Sequence, residues 1–304
     1  MKTNQLLLAA LLAVASCHSD AATTPAQPAA VQTPQHGTVP IDGVDYYYEI
    51  HGPAQRSPIL VLHGGLMSIA TSRPVIDELA KTRTVIAVDL QGHGRTTLGT
   101  RPITLVDSAN DLDVLLGKLG YAQVDVLGYS FGGGIAFRLA VQHPERVRKL
   151  VITSAPFARD GWYADMLPQQ EAVNASLAPM MKDTPIYKSY AAVAPHPEDF
   201  PRLLDRMGEL MRTPYDYAAD AKHLKVPTML VFGDADMVTP EHMIAFYKLL
   251  GGGQRDAGWQ REHMPTNRLA ILPDVTHYEM FDSPRLATAV LPFLDGKPAQ
   301  VSTR

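Results

Sequence analysis

The sequence predicts an α/β protein: a doubly wound, mostly parallel sheet with a helical lid inserted between two of its later strands. Three observations predict it. Short apolar bursts end in glycine or polar residues, as strands buried on both faces do. Segments with apolar residues at helical spacing lie between them, and that alternation builds a parallel sheet covered by helices. Between Pro156 and Val226 the alternation stops, and the chain turns rich in methionine and aromatic residues.

The chain begins with MKTNQLLLAALLAVASC, read as a signal peptide over residues 1–16. Lys2 supplies the positive start, and the apolar run Leu6 to Val14 is too short for a mature membrane span. Val14-Ala15-Ser16-Cys17 resembles a bacterial lipobox, which implies lipid attachment at Cys17, the one cysteine of the chain. An ordinary secretory signal cleaved near Ser19–Ala22 is the alternative, and either route exports the protein. His18, where an aspartate would signal inner-membrane retention, favours the outer membrane by analogy, with the domain on the periplasmic side. Residues 17–38, rich in Ala, Thr, Pro and Gln, read as a flexible tether.

From Val39 a globular domain is expected, running to residue 297. Val44, Tyr46, Tyr48 and Ile50 alternate with polar neighbours at the period of a half-exposed strand. PILVLHGG, TVIAVDLQGHG, VDVLGYS, VRKLVITSAP, PTMLVFGD and RLAILPDVTH each read as a buried strand. Leu105, Ala109, Leu112, Leu116 and Leu119 share one helix face. So do Met243, Phe246, Tyr247 and Leu250, and then Leu286, Val290, Phe293 and Leu294. The lid, about 157–224, carries Met166, Met180, Met181, Met207 and Met211 with Trp162, Tyr163, Tyr187, Tyr190, Tyr215 and Tyr217. Most of these are expected to pack the lid against itself. Residues 251–267 read as a glycine-rich surface loop that could border the site.

Composition narrows the function. A 304-residue chain with 46% apolar and 19% charged residues can bury a sizeable core. A net charge of -4 gives no basic footprint for nucleic acid. No Cys/His spacing suits a metal and no phosphate-binding loop occurs, so neither metal nor organic cofactor is expected.

What remains is nucleophilic chemistry. Gly128-Tyr129-Ser130-Phe131-Gly132 matches G-x-S-x-G between a buried strand and a helix carrying Ile135, Ala136, Leu139 and Ala140. Its outer glycines would let the backbone pack closely while Ser130 sits at the tip of a strained turn. A serine hydroxyl needs a base. Of eleven histidines, His18 and His36 fall in the tether, His143 ends a helix, His223 precedes a strand, and His263 lies at the wrong end of one. His277 follows the last strand, at the carboxyl edge where functional groups gather. The base needs a carboxylate to orient it, and Asp234 and Asp236 both follow a strand. The order Ser130, Asp236, His277 suits a nucleophile, acid and base.

LHGGL, DLQGHGRT, GYSFGG, GDADMVTP and THYEMFDSP occur in family order from Val44 to Leu294, and the chain so resembles the α/β-hydrolase family. The resemblance implies an acid at the second acidic position of G-x-x-D-x-x-x-P. Gly233, Asp236 and Pro240 fit it, which favours Asp236 and leaves Asp234 as a turn former. Two backbone N–H groups should stabilise an oxyanion. One is that of Phe131, and the other Gly65, with Leu66 the weaker choice. His63 is expected to brace that loop, and Asp89, Gly92, His93 and Gly94 to form a structural turn. A serine at the elbow argues against the epoxide hydrolase and dehalogenase branches, which use aspartate.

The expectation is a serine hydrolase that cleaves carboxylic esters through an acyl-enzyme, acting on a small, apolar or aromatic ester. A lactone, an amide, a C–C bond or hydrogen peroxide would use the same machinery, and related folds host lyases. A non-catalytic ligand-binding protein is the alternative of another class.

Overall fold

A computed structural model describes residues 34–296. Eight strands form one sheet in the order β1-β2-β4-β3-β5-β6-β7-β8. β1 (Gln35–Ile41) and β2 (Val44–His51) are an antiparallel hairpin, and β2 pairs antiparallel with β4 (Val85–Val88). β3 (Ile59–Leu62), β4, β5 (Val124–Tyr129), β6 (Val147–Thr153), β7 (Thr228–Ala235) and β8 (Arg268–Thr276) run parallel. The parallel, doubly wound sheet expected from the apolar bursts is present.

β1 corrects one boundary. Residues 35–38, expected as the end of the tether, are strand. Their polar composition hides this, but Asp42 and Gly43 both adopt positive φ (43° and 76°), the two-residue turn that closes a tight hairpin. The signal peptide, Cys17 and the rest of the tether lie outside the described residues. No described helix is long and apolar enough to cross a membrane.

Helices cover both faces. α1 (Arg73–Ala80) and a C-terminal helix, Pro284–Asp295, bury Val75, Ile76, Leu79, Leu286 and Val290 against one face. α2 (Leu105–Lys118), α3 (Phe131–Gln142) and a helix over Pro240–Leu249 bury Leu112, Leu116, Ile135, Leu139 and Phe246 against the other.

Between β6 and β7 the chain forms five short helices: α4 (Leu167–Glu171), α5 (Ala178–Met181), α6 (Pro185–Ala191), α7 (Phe200–Arg212) and α8 (Ala218–His223). The two helices after β7 are thus α9 (Pro240–Leu249) and α10 (Pro284–Asp295). The insertion has its own core of Tyr190, Phe200, Leu203, Leu204 and Met207, closed from below by Leu98 and Ile103. Arg202 and Arg206 donate to the carbonyls of Gly99 and Thr100 at 3.2 and 3.1 Å, tying α7 to the sheet domain.

The 251–267 loop does not border the carboxyl edge of the sheet. It joins the end of α9 to the start of β8, so it lies at the amino edge. There Arg261 and Thr266 line a cavity with Lys149 and Pro227 at the starts of β6 and β7. Loop length alone could not say which edge it occupies.

Strand order reverses at β3: the chain leaves it for β4 on one side and returns to β5 on the other. Such a switch point opens a crevice at the carboxyl ends. The residues after β3 and β5 therefore face each other, and α3 must start very close to β3. A Cβ on Gly132 would lie 2.4 Å from the His63 carbonyl oxygen, and one on Gly128 2.2 Å from that of Gly132. Gly134 meets only the flexible tip of Leu105 at 3.1 Å. Gly128→Ala should therefore cost about 1–3 kcal/mol in a urea unfolding titration, the range for overpacking a rigid site. Gly134→Ala, one turn along, should be neutral or slightly stabilising, because helix propensity favours alanine there.

Candidate active site

Ser130 leaves β5 with φ 51° and ψ −115°, a conformation that a side-chain-bearing residue holds only when its surroundings impose it. They do. Its N–H donates to the Thr153 carbonyl at 2.9 Å, its own carbonyl accepts from Gly134 at 3.0 Å, and Gly132 N–H donates to His63 at 3.1 Å. The turn is bonded to β6 on one side and to the end of β3 on the other. The hydroxyl is left at the tip, half-buried.

His277 and Asp236 arrive from separate loops. His277 Nε2 lies 3.2 Å from Ser130 Oγ, and Nδ1 lies 2.8 Å from Asp236 Oδ1. An ionised carboxylate only accepts, so Nδ1 carries the imidazole proton and Nε2 is free to accept from the serine. Both His277 and Asp236 are buried. Asp236 also accepts from the N–H groups of Met237 (2.7 Å) and Gly233 (3.1 Å). Burial alone would push its carboxyl up. The hydrogen bond and charge of His277, with Ser154 and Gly233, outweigh that and hold it below the ordinary 3.8. Asp234 takes no part: it is exposed and accepts from Val275 N–H at 3.3 Å.

Three residues at this site escaped the sequence reading. Ser154, fully buried just past β6 at φ 53°, donates its hydroxyl to Asp236 Oδ2 at 2.5 Å. Only its place at a carboxyl strand end hinted at this. Trp162 presents its ring edge-to-face to His277, with centroids 5.8 Å apart. Tyr129 donates to the His277 carbonyl; its position inside the elbow motif concealed a separate contact.

The two expected oxyanion donors are neighbours. A Cβ built on Gly65 would lie 3.9 Å from that of Phe131. Phe131 is the first residue of α3, where backbone N–H groups have no intrahelical acceptor and the helix dipole is positive. Leu66 next to Gly65 takes φ 58°.

The loop beneath is braced by His63. Its Nδ1–H donates to the Gly64 carbonyl at 2.7 Å, and Nε2 accepts from Leu90 N–H at 3.1 Å. That pairing needs a neutral ring, and burial, aided by His93, drives its pKa down to about 3. Burial likewise lowers His93 to about 4; its ring stands between His63 and Phe131. Asp89 closes the turn from Gly92 to Gly94 by accepting from Ile69 and Arg95 N–H groups. His263 belongs to the loop at the amino edge, away from the serine. Among the described residues, the one metal-ligand-type grouping is Asp113, His143 and Glu145, remote from this site, where Asp113 already pairs with Arg146 at 2.7 Å.

A model of the α/β-hydrolase fold matches residues 57–215. The 2-hydroxymuconate semialdehyde hydrolase of Pseudomonas sp. strain CF600 is 41% identical over 113 residues, covering 34% of this chain and 38% of that protein. The pimeloyl-[acyl-carrier protein] methyl ester esterase of Neisseria meningitidis serogroup B is 30% identical over 63% of this chain and 79% of its own length. In three dimensions the carboxylesterase CesB of Bacillus subtilis superposes with a TM-score of 0.66 at 19% identity, over 88% of this chain and 93% of that one. The enol-lactonase of Burkholderia xenovorans LB400 gives 0.63 at 18%, over 85% and 100%. With a family match over more than half its length and hydrolases among its relatives, the chain belongs to the α/β-hydrolase family.

Proposed function

We propose that the protein is a serine hydrolase of carboxylic esters. The observation that carries this reading is the unbroken relay from Ser130 through His277 to Asp236, with contacts of 3.2 and 2.8 Å. His277 Nε2 accepts the Ser130 proton as Oγ attacks the ester carbonyl, and Asp236 stabilises the imidazolium that forms. The oxyanion turns toward the N–H groups of Phe131 and Gly65, each worth about 3 kcal/mol of barrier lowering. His277 then protonates the leaving alcohol. In the second half-reaction it activates water against the acyl-Ser130, releasing the acid. The cycle needs no metal or organic cofactor.

An apolar or aromatic substrate suits the surroundings. Leu66 and Phe131 pack against the insertion's core, and the Met207 methyl would lie 3.0 Å from a Cβ on Gly65. Trp162 adds an aromatic wall beside His277. Such surfaces adapt to apolar groups. A relative named as a methyl ester esterase agrees with ester chemistry. Lactones and C–C bonds would use the same relay, so a purified-enzyme panel across acyl lengths and lactones decides among them. A ligand-binding protein without turnover has no use for an ordered base and acid.

Export and lipid attachment at Cys17 complete the proposal, resting on the N-terminal sequence. The domain would then act at the periplasmic side of a membrane, on esters reaching it from that space.

Three outcomes test these statements. Ser130→Ala in the full-length protein should lower kcat on short-chain aryl esters by at least about 10⁴-fold and abolish fluorophosphonate labelling; wild-type turnover in the variant refutes the mechanism. Asp236→Asn should cost about 10⁴-fold in kcat. It should also change the pH dependence of stability. A carboxyl depressed in the folded state adds stability above its ordinary value of 3.8 and loses it as pH falls through the lower folded value. The difference in Tm between wild type and Asp236→Asn should therefore shrink between neutral pH and about pH 3. Finally, Cys17→Ser should move the protein from the membrane fraction to a soluble or unprocessed form, and unchanged fractionation would remove the anchor.

A further inference from the structure

Tyr129 touches all three parts of the proposed machinery. It precedes Ser130 in the chain. Its hydroxyl donates to the backbone carbonyl of His277 at 2.5 Å across 148 residues of sequence. Among the hydrogen bonds of the described residues, no other donor reaches that carbonyl. The ring stacks on Phe281, with centroids 4.9 Å apart and planes at 19°, and lies 5.3 Å from the His277 ring. Its other edge supports the loop after β3. A Cβ on Gly64 would lie 2.7 Å from Tyr129 Cε1, so that loop rests directly on the tyrosine.

The side chain is buried, and burial, with the nearby charge of Asp236 adding to it, pushes the phenol up, so the hydroxyl stays protonated and donates at all working pH values. The other ties of this loop lie to either side of His277: Thr276 pairs with Ala235 at the end of β8, and Met280 and Phe281 are buried. Thr276 is held by the exposed Glu279, and Tyr278 is 72% exposed. Without the Tyr129 bond, the His277 backbone would depend for its place on the Asp236 contact, the Thr276 strand pairing and the burial of Met280 and Phe281, none of which holds its carbonyl.

We propose that Tyr129 is a positioning residue, whose hydroxyl and ring fix the base loop and the oxyanion loop against the nucleophile strand. The proposal rests on the hydrolase reading above. A crossbrace between nucleophile and base sets their separation, and displacement by about 1 Å can cost 10²-fold in rate. The donor therefore acts on kcat, while the substrate-facing walls formed by Leu66, Phe131, Trp162 and Met207 keep their places.

Tyr129→Phe removes the hydroxyl and keeps the ring. In the full-length protein, kcat for a p-nitrophenyl ester should fall about 10- to 100-fold. KM should stay within about twofold, and Tm within a few degrees, since one net hydrogen bond is lost. Solvent exchange of the His277 Nδ1 proton, followed by NMR, should speed up about tenfold or more as the base loop loosens. Phe281→Leu leaves the hydroxyl but removes the ring's stacking partner, and should give the same signature in smaller measure. Unchanged kcat together with unchanged exchange in the folded variants overturns the proposal, as does a loss expressed in KM alone. Absence of Ser130-dependent turnover in the wild type overturns the hydrolase reading instead, and the proton-exchange measurement still decides whether Tyr129 holds the base loop.

Discussion

The structure around the candidate site depends on one close approach, that of the first turn of α3 to the end of β3. Gly132 N–H reaches the His63 carbonyl at 3.1 Å, where any side chain on Gly132 would collide with the β3 backbone. That contact forces the sharp reversal at Ser130 and keeps its strained dihedrals from relaxing. It also brings the start of a helix, with its unpaired N–H groups, beside the Gly64-Gly65 loop. Nucleophile and proposed oxyanion donors are thus placed by the same packing. A residue larger than glycine would lose both at once.

Around this contact the protein spends its buried polar groups on holding loops. His63, His93 and Asp89 are sealed from solvent, and each is tied to the main chain: both His63 nitrogens and both Asp89 oxygens have backbone partners, while His93 is held through Nδ1 at the Gln91 carbonyl alone. Burial drives both imidazoles well below the range in which they could serve as bases. His277 differs because its one charged partner, Asp236, is itself ionised and held by several donors. The distinction between the bracing histidines and His277, the proposed base, therefore lies in what each nitrogen meets, not in depth of burial.

Much of this was legible in the residues. Six apolar bursts marked β3 to β8 and a half-exposed alternation marked β2; β3 to β6 are indeed buried on both faces, whereas β8, at the sheet edge, is mostly half-buried or exposed. Ser130, Asp236 and His277 could be paired from afar because each sits just past a strand, and a parallel sheet collects such positions on one edge. β1 was not legible, since its edge position allows a polar composition, although Asp42-Gly43 carried the hairpin signal. Ser154, Tyr129 and Trp162 were missed for a different reason. Their contacts depend on side-chain direction across elements far apart in sequence, which no local periodicity encodes. Whether the 251–267 loop borders the site was left open by the sequence, because its length carries no information about which edge of the sheet it occupies.

The insertion joins the two kinds of information. Its composition signalled an apolar layer, and most of its aromatic residues do pack internally: Tyr187 and Tyr190 meet Phe200, and Tyr215 stacks on Tyr217. Tyr217 also meets Phe137 and Arg138 of α3, and two further residues reach toward the relay. Met207 reaches down to Gly65, and Trp162 stands against His277, in a segment that bridges to Val238 beside the acid. One is therefore set on the oxyanion side and the other on the base side of Ser130. Under the proposed function, the carbonyl substituents of an ester on Ser130 would lie near these two side chains, and changes in the insertion would alter substrate choice without touching the relay. On that reading, reaction class and selectivity are separated in the fold: the first follows from the packing of β3, β5 and α3, the second from Met207 and Trp162 of the insertion.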